Sequence, residues 1–288
     1  MQKCSEKYSH VNGINLCWFE WGEAFRDKGT ILLVHATGFH ARCWDQCVAN
    51  LGERHVIAVD MRGHGRSDKQ GPYTWNLFGD DLMAFVEALD LNSIVGAGHS
   101  MGGHSLCQAV AADESRFERL VLVDPVILPP AAYAMYKPGR GEDHPVSRRR
   151  NLFDSPEAMF KNLRGKGSYG LWQEAVLHDY CTWGLLENPD GPGYVLACPP
   201  LVEATIYTET AGTNIYPLLD SIEIPVKVLR APPRDEDHAQ MDFSRSPTWP
   251  DLANCFEQGE DVFLPELTHF IPMQAPALVA NYIAGESV

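Results

Sequence analysis

Gly98-His99-Ser100-Met101-Gly102-Gly103 is the stretch of sequence that decides the fold. An apolar run over residues 93–97 precedes it, and apolar residues at helical spacing follow it over residues 106–111. This order predicts a strand, a sharp turn and a helix, with Ser100 at the apex. Glycines two positions before and after the serine permit the close backbone contacts of such a turn. The turn would project the Ser100 hydroxyl towards the free N–H groups at the helix N-terminus.

Strands and helices alternate on both sides of this turn. Apolar residues at helical spacing predict a helix over residues 75–90, and Asn12-Gly13 predicts a hairpin with arms 8–11 and 14–21. Continuous apolar runs predict further strands at residues 30–34, 55–59, 120–123, 226–229 and 261–264. Strands that alternate with helices form βαβ units, so we expect an α/β protein with a mainly parallel sheet flanked by helices.

Residues 128–220 interrupt this alternation. They are rich in Pro, Gly, aromatic and charged residues, with helices predicted near 156–164 and 172–186. The segment is too long for a loop, so we predict a helical lid inserted into a core formed by residues 1–127 and 221–288. Its aromatic residues either line an apolar pocket or form the core of the lid; they are Tyr133, Tyr136, Phe160, Trp172, Tyr180 and Trp183. Residues 148–150 are three consecutive arginines. They either bind a substrate carboxylate or, as we favour, form a solvent-exposed face.

Charge and composition restrict the partners. The chain has 288 residues and a formal net charge of −15, which disfavours nucleic acid and anionic membranes because both require a basic face. The eight cysteines are dispersed without a CxxC pair, so we expect reduced thiols and no metal site. No secretory signal is visible, and no apolar stretch is long enough to cross a bilayer. We therefore predict a cytoplasmic protein that acts on a small molecule.

Four segments together resemble the lidded α/β-hydrolases that use a serine nucleophile. They are the serine turn, His35-Ala36-Thr37-Gly38, the string from Asp60 to Ser67, and Leu267-Thr268-His269-Phe270. The resemblance covers nearly the whole chain outside residues 128–220. One departure is Ala36, which stands where the family usually has glycine. The resemblance implies the α/β-hydrolase fold with its inserted lid.

The resemblance also implies a catalytic triad in the chain order serine, acid, histidine. Ser100 would be the nucleophile, and His269 the base, because it follows the last strand and precedes the final helix. For the acid we favour Asp242, whose spacing from His269 is similar to that in relatives. Asp124, at the end of the strand after the nucleophile helix, and Asp235, closer to the end of strand 226–229, remain alternatives.

The oxyanion hole implied by the resemblance consists of the backbone N–H groups of Met101 and Thr37. We expect His35 to support the loop that contains Thr37 and His40 to reach the pocket. His99 and His104 flank the serine in the sequence, and we interpret them as packing residues.

We predict a carboxylesterase that works through an acyl-enzyme and needs no metal or cofactor. The alternatives on the same residues are a lactonase, a C–C bond hydrolase and a perhydrolase. An alternative of another class is a ligand receptor that retains the triad without turnover.

Overall fold

The computed structural model describes residues 3–235 and 242–286. In these residues the strands of the main sheet are β1 (Cys4–Val11), β2 (Ile14–Trp21), β3 (Thr30–Val34), β4 (His55–Val59), β5 (Ile94–His99), β6 (Phe117–Val123), β10 (Val226–Arg230) and β11 (Gly259–Phe263). Their spatial order is β1-β2-β4-β3-β5-β6-β10-β11. β1, β2 and β4 pair antiparallel, and the pairs from β4 to β11 are parallel. The α/β-hydrolase fold class is confirmed.

Helices cover both faces of this sheet. Those of the core are α1 (Asp45–Val48), α2 (Trp75–Ala88), α3 (Met101–Ala112), α9 (Ile271–Gln274) and α10 (Pro276–Ala284). Along β3, Leu32 packs into an apolar cluster that includes residues of α2 and α3. Its neighbour Leu33 packs into a second cluster, which includes residues of α10. Successive side chains of a strand point to opposite faces, so the sheet lies between two helical layers.

The predicted hairpin is confirmed in the first two strands. β1 and β2 pair over their whole length, with Val11 opposite Ile14. Asn12 and Gly13 both have positive φ angles, 46° and 76°. This is the requirement of the tight turn whose twist matches that of the flanking strands.

The segment between β6 and β10 contains residues 128–220. Its elements are α4 (Pro130–Ala134), β7 (Leu152–Phe153), α5 (Pro156–Leu163), α6 (Glu174–Trp183), β8 (Leu185–Glu187), β9 (Tyr194–Leu196), α7 (Pro200–Thr208) and α8 (Tyr216–Leu219). The two predicted helices are present as α5 and α6. The segment is not purely helical, because β7, β9 and β8 form a three-stranded antiparallel sheet. Strands of two or three residues are too short to show an alternating pattern in the sequence.

In the part of the chain that the structure describes, no helix is both long and apolar enough to cross a membrane. The eight cysteines are free thiols, and most of them are buried. Among residues 3–235 and 242–286, no cluster of three or more His, Cys, Asp or Glu side chains is arranged to hold a metal ion.

Candidate active site

The serine turn joins β5 to α3. Ser100 has φ 57° and ψ −117°, a backbone conformation outside the regions that non-glycine residues favour. A Cβ atom on Gly98 would lie 2.5 Å from the carbonyl of Gly102, and one on Gly102 would lie 2.2 Å from the carbonyl oxygen of Val34. Both positions therefore require glycine, and the backbone packing holds the serine at the carboxyl edge of the sheet.

Three side chains form a continuous hydrogen-bonded chain at this edge. Ser100 Oγ lies 3.1 Å from His269 Nε2, and His269 Nδ1 lies 2.6 Å from Asp124 Oδ2. His269 precedes α9, and Asp124 follows β6 directly. All three residues are buried. The sequence prediction brings Ser100 and His269 to one site, and the structure places them within hydrogen-bond distance.

The carboxylate beside His269 differs from the favoured prediction. It is Asp124, one of the alternatives, and not Asp242. Its second oxygen, Oδ1, accepts hydrogen bonds from the backbone N–H of Ala231 at 2.9 Å and from the Ser246 hydroxyl at 2.7 Å. Both donors come from the loop after β10. That loop therefore supplies the groups that hold the carboxylate rather than the carboxylate itself.

The other two candidate acids have different surroundings. Asp242 Oδ1 accepts a hydrogen bond from the backbone N–H of Ser244 at 2.9 Å, which is a local contact within the loop. Asp235 is exposed. Residues 236–241 of the same loop lie outside the described residues.

His99 and Phe243 also contact His269, and the sequence assigns neither of them to it. His99 Nε2 donates to the carbonyl oxygen of His269 at 2.8 Å. Burial lowers the pKa of His99 well below its usual value, so this ring is neutral at physiological pH. The ring of Phe243 stacks on the imidazole of His269, with centroids 5.5 Å apart and an interplanar angle of 22°. The base is thus fixed at its backbone and at one face of its ring.

The loop after β3 approaches the serine from the other side. Thr37 and Ser100 line the same cavity. Met101 is the first residue of α3, where helical N–H groups have no intrahelical acceptor. Gly38 donates its N–H to His64 Nε2 at 3.0 Å, and burial keeps the pKa of His64 well below its usual value. This loop is therefore held by a neutral imidazole that acts as an acceptor.

His35 supports the same loop, as the sequence predicts. Its Nδ1 donates to the carbonyl oxygen of Ala36 at 2.8 Å, and its Nε2 accepts from the N–H of Met61 at 3.0 Å. His40, which we expected to reach the pocket, instead donates from Nε2 to the carbonyl oxygen of Tyr180 at 3.1 Å. Burial lowers the pKa of His40 to about 4, so it is a neutral structural residue.

A cavity of about 510 Å³ opens beside Ser100, a volume typical of small-molecule sites. Most of its lining is apolar, and the segment 128–220 contributes Met135, Tyr136 and Tyr207 to it. The other aromatic candidates do not line this cavity. Three of them, Phe160, Trp172 and Tyr180, belong to one buried apolar cluster. Trp183 packs against Phe19, and Tyr133 packs against Tyr216, each pair with ring centroids 5.7 Å apart.

The arginine run is only partly a solvated face. Arg148 and Arg150 are exposed, but Arg149 Nη1 donates to Glu203 Oε2 at 2.6 Å. The other carboxylate oxygen of Glu203 lies against the backbone of Gly38, 2.5 Å from where a Cβ atom would be. Arg149 therefore pairs with a buried carboxylate behind the loop that contains Thr37 and does not face the cavity.

Comparison with known proteins agrees with this architecture. The chain matches the model of the alpha/beta hydrolase family over residues 31–282. It is 30% identical over 268 residues to 2-(acetamidomethylene)succinate hydrolase from Mesorhizobium japonicum, covering 90% of each chain. It is 37% identical over 119 residues to a non-heme chloroperoxidase from Streptomyces lividans, and this match spans 40% of the chain and 42% of that enzyme. The crystal structure of E-2-(acetamidomethylene)succinate hydrolase superposes with a TM-score of 0.76 at 19% identity, covering 98% of each chain, which supports the fold.

Proposed function

The chain belongs to the alpha/beta hydrolase family, and we propose that within it the protein is a carboxylic ester hydrolase that works through an acyl-enzyme. The observation that supports this proposal is the chain of contacts from Ser100 to His269 and from His269 to Asp124, at distances of 3.1 and 2.6 Å, beside a mostly apolar cavity. A serine, a histidine and a buried carboxylate in this order meet the geometric requirements of nucleophilic catalysis.

In the proposed mechanism, Ser100 Oγ attacks the ester carbonyl while His269 Nε2 takes the hydroxyl proton. Asp124 holds the imidazole in the tautomer that carries its proton on Nδ1, and it stabilises the imidazolium ion. His269 then returns the proton to the departing alkoxide, which leaves an acyl group on Ser100. A water molecule, deprotonated by the same imidazole, releases the acid and restores the serine.

The oxyanion of the tetrahedral intermediate would be bound by the N–H groups of Met101 and Thr37. The N-terminus of α3 favours negative charge at this position, because its first N–H groups point towards the nucleophile. Loss of one such donor typically costs about 3 kcal/mol of transition-state stabilisation. Since both donors are backbone groups, truncation of the Thr37 side chain leaves both donors present.

The direct experiment compares the wild type with Ser100→Ala on p-nitrophenyl acetate. We expect kcat/KM to fall by at least about 10⁴-fold, because both covalent steps need the hydroxyl. Ser105→Ala is the matched control, since Ser105 is a buried serine of α3 whose hydroxyl donates to the Met101 carbonyl at 3.1 Å. A loss of less than about tenfold in Ser100→Ala, which corresponds to about 1.4 kcal/mol, would exclude Ser100 as the nucleophile.

A receptor that only binds its ligand would behave differently in the same assay. Its serine could be acylated once, but it would show no continued release of p-nitrophenol. Intact-mass measurement after reaction with a fluorophosphonate would reveal a single adduct on Ser100 in both cases. Steady-state turnover therefore distinguishes an esterase from a receptor.

Perhydrolysis is a second candidate, favoured by the 30% identity over 155 residues to a protein of Acinetobacter calcoaceticus named as a bifunctional esterase/perhydrolase. Hydrogen peroxide would replace water in the second step, so that the acyl-enzyme yields a peracid and free Ser100. Peracid formation from methyl acetate and hydrogen peroxide tests this candidate. It needs the same residues as hydrolysis, and only the relative rates with water and peroxide decide between them.

A further inference from the structure

The charge of the cavity is opposite to that of the whole chain. The chain has a formal net charge of −15, yet no Asp or Glu of the described residues lines the cavity beside Ser100. Its charged lining consists of Arg234 and Lys137. His144 also lines it, but burial lowers the pKa of this imidazole, which favours its neutral form. A mostly apolar cavity thus presents cations to whatever it binds.

Arg234 is the half-buried cation of this pair, whereas Lys137 is exposed. Arg234 Nε donates to the backbone carbonyl oxygen of Asp242 at 3.2 Å. The guanidinium lies 5.8 Å from the centroid of the Phe243 ring. Within the part of the chain that the structure describes, none of the ion pairs involves Arg234. Among these residues, no carboxylate pairs with its terminal N–H groups.

Arg230 provides an internal reference, four positions earlier in the chain. It also lies over a phenylalanine, Phe263, at 4.7 Å from the ring centroid. Unlike Arg234, it forms a bidentate ion pair with Asp261, with N···O distances of 2.6 and 2.9 Å. Arg230 does not line the cavity. Of these two neighbouring arginines, Arg230 has its carboxylate within the protein, and Arg234 lines the cavity without an ion pair to any described residue.

A half-buried guanidinium that lines a mostly apolar cavity is stabilised by an anionic ligand bound in that cavity. Burial lowers the pKa of Arg234, while the negative charges of Asp124 and Asp242 and the nearby Tyr207 oppose that shift. The group nevertheless stays charged at physiological pH. Its parallel N–H groups match the two oxygens of a carboxylate, the geometry that favours arginine over lysine at such sites.

We propose that Arg234 binds a carboxylate of the substrate, so that the preferred esters have an acyl chain that ends in a second, anionic carboxylate. This inference rests on the proposed esterase function. The Phe243 ring stacks on His269 and also contacts the Arg234 guanidinium, so it links the reacting end of the cavity to the cationic end. A short diacid monoester fits this arrangement, with the ester carbonyl at Ser100 and the free carboxylate at Arg234.

The test uses two substrates of one carbon skeleton. Monomethyl glutarate carries the free carboxylate and dimethyl glutarate does not, and hydrolysis of both is followed by titration at constant pH. We expect the ratio of kcat/KM for the monoester to that for the diester to fall about 10- to 100-fold in Arg234→Gln, because a charged hydrogen-bonded contact is lost. Arg234→Lys, which keeps the charge but not the planar geometry, should retain more of this ratio. Arg230→Gln is the matched control and should leave the ratio unchanged.

An unchanged ratio in Arg234→Gln and Arg234→Lys would overturn the inference while leaving the esterase proposal intact. If kcat/KM falls equally for both substrates in these variants, the ratio is again unchanged, and the loss shows that Arg234 only supports the loop. Binding of glutarate, measured by calorimetry, separates the two proposals. If the wild type cleaves no ester but binds glutarate at least tenfold more tightly than Arg234→Gln, the anion site stands and the esterase function fails.

Discussion

The ends of β6 and β10 lie side by side at the carboxyl edge of the sheet, but they contribute different groups to the site. Val123 pairs with Leu229, so Asp124 follows β6 at the level at which Arg230 ends β10. The end of β6 supplies the carboxylate at His269. The loop after β10 supplies two hydrogen-bond donors to that carboxylate, Phe243 against the imidazole, and Arg234 in the cavity.

This difference shows that the histidine can take its carboxylate from the end of either of two neighbouring strands. Neighbouring parallel strands end at the same edge, so an aspartate after either strand can approach the same imidazole. Once the end of β6 provides the acid, the neighbouring loop is available for holding that acid and shaping the cavity. The spacing between Asp242 and His269 along the chain carries no information about this arrangement.

The most direct test of this difference between the two strand ends replaces Asp124 or Asp242 by asparagine. We expect Asp124→Asn to lower kcat on p-nitrophenyl acetate by at least about 10²-fold with KM nearly unchanged, because the wrong imidazole tautomer is then favoured. Asp242→Asn should cost less than about tenfold on the same reasoning. Circular dichroism and melting curves of both variants control for loss of fold. A crippled Asp242→Asn beside an active Asp124→Asn would reverse the assignment.

A smaller effect is expected from the donors of the β10 loop. Ser246→Ala removes one hydrogen bond to the Asp124 carboxylate, and the Ala231 N–H remains. A hydrogen bond to a charged group contributes about 1.5–3 kcal/mol. Because the Ala231 N–H still holds the same oxygen, we expect the low end of this range, a fall in kcat of about tenfold with little change in KM. The control is Ser244→Ala, an exposed serine of the same loop. Equal activity of both variants would mean that the loop does not position the acid.

The smallest effect should come from the ring stacked on His269. An aromatic contact of this kind contributes about 0.5–1.5 kcal/mol, so Phe243→Leu should lower kcat by roughly threefold to tenfold. Phe243→Tyr keeps the ring and should restore most of the rate. Both are measured on p-nitrophenyl acetate, whose acyl group carries no second carboxylate for Arg234 to bind. If Phe243→Tyr is as slow as Phe243→Leu, stacking is not the reason for the loss.

The features that could be predicted from the sequence are those that local residue patterns determine. Gly98 is required by its contact with Gly102 in the same turn, and Asn12-Gly13 fixes a hairpin turn within four residues. The chain order of the resemblance, together with the position before the last helix, brought His269 to the serine. Each of these features depends on a few consecutive residues or on one element boundary.

What could not be predicted depends on pairing between distant strands. The donors to Asp124 come from positions 231 and 246, and nothing in the local sequence marks them as its partners. Periodicity likewise places Trp172 and Tyr136 in one aromatic segment without showing that Tyr136 faces the cavity while Trp172 packs in a separate cluster. Nothing near His99 in the sequence distinguishes it from a packing residue, because its acceptor, the His269 carbonyl, lies 170 positions away.

The hydrogen bond from His99 to the His269 carbonyl has a consequence for the modular construction of the enzyme. It connects the residue before the proposed nucleophile directly to the proposed base. Among the described residues, the hydrogen bonds that align Ser100, His269 and Asp124 all come from outside residues 128–220. The reacting groups can thus keep their alignment while the intervening segment changes. We expect that segment to be exchangeable between relatives. The part of substrate preference that depends on Met135, Tyr136 and Tyr207 would then be transferred with the segment, while the chemistry and Arg234 would stay with the recipient.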